Sequence, residues 1–157
     1  MLLKFESIHI KGRSLAFEVG ITWLLSLLGM RPVLLGKYEQ IGSANNQISF
    51  DIVASYGKDI ILLVNVTTGR VDPSHIDVEK NYRDKLLQQV DIPNVKLKSI
   101  LFSGMSVSEL KKTVNNNDVI LVGRDELTQV LDLLRKGDTE EARRFLIEER
   151  DYFSDGI

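Results

Sequence analysis

The run Ile60-Ile61-Leu62-Leu63-Val64 constrains this chain more than any other feature. Five consecutive apolar residues, three of them β-branched, suit a strand covered on both faces, the position of a central strand in an α/β sheet. Just before it stands Tyr56-Gly57-Lys58, and before that an apolar stretch over residues 48–55. A short turn with a central glycine between two such stretches reads as a β-hairpin. The central strand therefore has an antiparallel neighbour on one side.

The rest of the chain supplies further strands and helices. Residues 31–36 read as a strand opened by Pro32, and residues 38–47, with Gly42, Ser43, Asn45 and Asn46, as a flexible loop. A polar amphipathic helix is expected over 74–89, a strand over 96–103, and a helix from the capping box Ser106-Val107-Ser108-Glu109 to about 114. Asn115-Asn116-Asn117 reads as a turn, 119–122 as a strand and 125–135 as a helix ended by Gly137. Asp138 caps a last helix, 139–152, whose Phe145, Leu146, Tyr152 and Phe153 should pack on the domain or on a partner. Upstream, residues 1–11 alternate loosely and read as a short strand or ordered arm, broken by Gly12. Ser14 is placed to cap a helix over 15–30 that is apolar nearly all round, and so is expected to be buried. Strands alternating with helices after a hairpin imply an α/β sandwich with a mixed central sheet.

Length and composition narrow the function classes. At 157 residues the chain suits one domain with a sizeable core. It has no cysteine, which excludes disulfides and thiolate metal sites and fits a cytoplasmic location. Neither a membrane span nor a signal peptide is expected, because the longest apolar stretch, 21–30, is short of the ~20 residues a span requires. The net charge of −2 argues mildly against a dedicated nucleic-acid binder.

One charged residue, Glu18, lies within the apolar helix, and Asp51 lies in the first arm of the hairpin. The second arm closes with Asn65-Val66-Thr67, in which residues 65 and 67 share a face. The order Phe17-Glu18, Leu24-Leu25-Leu28-Gly29-Met30, Phe50-Asp51-Ile52-Val53 and Ile61-Leu62-Leu63-Val64 resembles the PD-(D/E)xK, or restriction-endonuclease-like, superfamily, in its Mrr-type and archaeal Holliday-junction-resolvase branches. The resemblance covers residues 12–135, with 138–157 as a C-terminal helical extension. It includes Ser99-Ile100-Leu101-Phe102-Ser103-Gly104, Val119-Ile120-Leu121-Val122 and Glu126-Leu127 onward.

The resemblance implies a three-layer α/β/α sandwich and a metal-dependent phosphodiesterase site. Its carboxylates map onto Glu18 and Asp51, its third ligand onto Asn65 and its lysine onto Thr67. Hydrolysis of a phosphodiester in such a site uses Mg²⁺ or Mn²⁺ held by hard oxygen ligands. Asp51 and Asn65 would be those ligands here, but Asn65 brings no charge and Thr67 cannot replace a cation. The expected protein is a degenerate nuclease that binds nucleic acid or a protein partner, a second copy included. An active Mg²⁺- or Mn²⁺-dependent endonuclease requires a migrated group, with Lys58, Lys80 and Glu79 as the nearest replacements. An α/β binding protein unrelated to nucleases is the third reading.

Further candidates carry less. The resemblance places Ser43 in a loop where resolvases contact the scissile phosphate. Lys96, Lys98, Lys111 and Lys112 are candidates for a basic nucleic-acid-binding patch, though solvated surface lysines are the commoner case. His75 follows a loop beside the expected site. Gly69 and Gly104 lie between a strand and a helix, where backbone amides can hold an anion. Asn65-Val66-Thr67 also matches a glycosylation acceptor, a chance match on a buried strand.

Overall fold

In a computed structural model, the chain is described for residues 2–35, 50–68, 84, 88, 95–114 and 119–147, with side chains from residue 15 onward. The described elements, in chain order, are α1 (Leu2–Leu27), β1 (Arg31–Leu34), β2 (Ile52–Tyr56), β3 (Ile60–Thr67), β4 (Lys96–Ser103), α2 (Val107–Thr113), β5 (Val119–Val122), α3 (Arg124–Arg135) and α4 (Thr139–Ile147). The class is α/β, and the sheet is mixed. Five strands lie in the order β1-β2-β3-β4-β5, antiparallel from β1 to β3 and parallel from β3 to β5. The expected hairpin is β2–β3, turning through Gly57 at a φ of 62°, where a glycine is favoured. β3 is central, as its apolar run requires.

Alternation sorts the strand side chains into two cores. Ile52 and Ala54 of β2, Leu62, Val64 and Val66 of β3, Ile100 and Phe102 of β4, and Ile120 and Val122 of β5 form one cluster. It also contains Ile21, Leu24, Leu25 and Leu28 of α1, Val130 of α3, and Ala142, Leu146 and Ile147 of α4. The opposite parity places Leu101, Val119 and Leu121 in a second cluster with Leu110 of α2. The helix expected as a C-terminal extension thus supplies three residues to the principal core.

The start of the chain departs from expectation. Residues 2–14 are not a strand or arm, and Ser14 is not a cap: they continue α1, a single helix of 26 residues. A lone glycine such as Gly12 costs a helix about 1 kcal/mol, too little to stop one that a core anchors further along. The helix ends at a different glycine. Gly29 has a φ of 83°, its N–H donates to Ser26 O at 3.0 Å, and Met30 N–H donates to Leu25 O at 3.0 Å. This paired pattern is a Schellman motif, which satisfies carbonyls left over at a helix end. The helix is also less buried than its composition suggests. Ile21, Leu24, Leu25 and Leu28 face the sheet, whereas Leu15, Trp23 and Leu27 face water.

Arg143 of α4 links this helix end to the sheet. Its Nη1 donates to Leu28 O at 3.1 Å, and its guanidinium lies 4.4 Å from the centre of the Tyr56 ring. Lys98 of β4 caps the other end of α4, with Nζ donating to Ile147 O at 3.4 Å. Among the described residues, no helix is long and apolar enough to cross a membrane.

Candidate functional site

The open end of the β2–β3 hairpin is where the sequence places its site. Asp51 stands one residue before β2, opposite the region of Asn65, since Ile52 pairs with Val64. Three of its groups bond to neighbouring strands. Its N–H donates to Val64 O at 3.0 Å, its carbonyl accepts Leu35 N–H at 2.9 Å, and its Oδ2 accepts Val66 N–H at 2.8 Å. The side-chain bond supplies an acceptor to a β3 amide just past the end of the β2 ladder, where a buried donor left alone costs about 1–3 kcal/mol. One carboxylate oxygen is therefore held by the protein.

Glu18 lies on α1, ten residues before the helix end that Arg143 joins to Tyr56 of β2. It is 8% exposed and shares the sheet-facing stripe with Ile21 and Leu25.

Asn65 and Thr67 share a face, but not the face that carries α1. Val64 and Val66 belong to the cluster with α1, so alternation sends Asn65 and Thr67 to the other side. Their register partners are Leu101, which packs with α2, and the fully buried Ser103. The helical glutamate and the strand amide thus lie on opposite sides of the sheet. Among the described residues, no group of three or more His, Cys, Asp or Glu could hold a metal ion. Of the expected ligands, Asp51 stands across the hairpin from Asn65 with one carboxylate oxygen engaged by Val66 N–H, Asn65 is neutral, and Glu18 belongs to the other face of the sheet.

The replacement cations fare no better where they are described. Lys58 sits in the turn at the closed end of the hairpin, beyond Tyr56, with the length of β2 between it and Asp51. That distance, on the order of 15 Å, exceeds the reach of a lysine side chain. Lys80 and Glu79 lie outside the described residues, as do Ser43, His75 and Gly69. In the expected helix over 74–89, Asp84 and Gln88 are helical.

The candidate basic patch divides between the two faces. Lys96 and Lys98 share the parity of Ile100, on the α4 side, and Lys98 is occupied with the end of α4. Lys111 and Lys112 lie in the last turn of α2, which packs against the other face through Leu110.

The parallel strands end in two turns that touch. Arg124 N–H donates to Met105 O at 3.0 Å, so the turn after β5 lies against the turn after β4. Gly123 permits this contact: a Cβ there would meet Met105 O at 2.6 Å and Val107 N at 2.8 Å. Gly123 N–H donates to Glu126 Oε2 at 3.1 Å, and Ser106 Oγ accepts Glu109 N–H at 3.3 Å. The start of α2 is thus capped by the Ser106 side chain, whereas α3 has no side-chain cap: its first N–H, of Arg124, goes to Met105 O, and the Glu126 carboxylate holds the Gly123 N–H. Gly104, the other glycine after β4, is exposed.

Sequence reasoning missed two features. Arg143 had no local signal, since its partners are distant in sequence. The exposed apolar row of α1 did have one: between Leu15 and Met30 the only charge is Glu18, which the core absorbs, so this half of the helix has no charge to present to water. Comparison with protein-family models, with characterised proteins and with solved structures finds no match.

Proposed function

We infer that this chain is a nuclease-like domain, of three-layer restriction-endonuclease-like architecture, whose catalytic site is degenerate and which serves in protein interaction. One observation carries the reading: Asp51, where the resemblance expects a metal-ligating carboxylate, accepts a backbone N–H from β3, beside a motif reading Asn65-Val66-Thr67. The order of helix, hairpin and mixed sheet supports the lineage. The loss of chemistry follows from residue type. Thr67 offers no cation to stabilise phosphoryl oxygens, and removal of a positioned acid or base costs roughly 10²–10⁴-fold. Protein is favoured over nucleic acid because the four candidate lysines divide between two faces, whereas α1 from Leu15 to Leu27 presents an uncharged apolar surface.

Incubation with duplex, single-stranded and branched DNA and with RNA, in Mg²⁺ and in Mn²⁺, tests this. No cleavage is expected, and no salt-dependent shift of labelled DNA in a gel. Metal-dependent cleavage that Asp51→Ala abolishes would overturn the reading in favour of an active endonuclease.

A further inference from the structure

We draw no further inference here: the strongest candidate, the exposed apolar row of Leu15, Trp23 and Leu27 on the face of α1 turned away from the sheet, is a surface patch for which nothing in the structure shows what covers it.

Discussion

Asp51 shows how a residue type can be read correctly and its role still depend on the neighbours. A carboxylate kept for a metal is usually a burden on the fold, whereas one that accepts a backbone amide contributes to stability. The 2.8 Å bond to Val66 N–H places Asp51 in the second group. Asp51→Ala should lower stability by about 1–3 kcal/mol, measured by urea unfolding, because it leaves that amide without its acceptor. Asp51→Asn keeps an acceptor oxygen and should cost clearly less. A stabilised alanine variant would instead mark Asp51 as a strained functional group. Gly123 is the other decisive residue. A methyl group there meets backbone atoms at 2.6 and 2.8 Å, and backbone cannot rotate aside. Gly123→Ala should therefore cost about 1–3 kcal/mol in the same measurement, against a small effect for Gly104→Ala, where an added carbon meets nothing.

Among the elements, the end of α1 is the joint on which the principal core depends. The Schellman turn at Gly29 reverses the chain into β1, and Arg143 then ties that turn to α4 and to β2. A charged donor to a carbonyl contributes about 1.5–3 kcal/mol, and a cation over an aromatic ring about 0.5–1 kcal/mol at an exposed site. Arg143→Ala should lower the unfolding free energy by about 2 kcal/mol. Arg143→Lys should recover only part of it, because an ammonium cannot both stack on Tyr56 and reach Leu28 O as a planar fork does. Chemical denaturation of the two variants and of Tyr56→Leu separates the two contributions.

For the whole molecule the expectation concerns metal. If the oxygens at the open end of the hairpin do not converge, Mn²⁺ has nothing to stabilise. A site with a Kd of ~1 mM would add only about 0.4 kcal/mol at 1 mM Mn²⁺, or about 1 °C in melting temperature for a chain of this length. Thermal melts of the wild type in chelator and in 1 mM Mn²⁺ should agree within that margin. A rise of several degrees, lost in Asp51→Asn, would show a working metal site.

The strands and most helices were legible in the sequence because their signals are local. The apolar run of β3, the glycine turn before it, and the capping serine of α2 each act over a few residues, and the structure places all three as expected. Gly12 misled because a glycine is a local cost that a longer helix absorbs once its far half is anchored. Which side of the sheet each candidate faces was not legible. Sequence period fixed that Asn65 and Thr67 go together, but only the packing of α1 against Val64 and Val66 put Glu18 on the opposite side from them. Burial of α1 likewise needed the fold. Composition says that this helix avoids water, whereas the tertiary structure decides how much of it the chain's own sheet can cover, because a sheet covers one side of a helix and leaves the other to whatever packs there next.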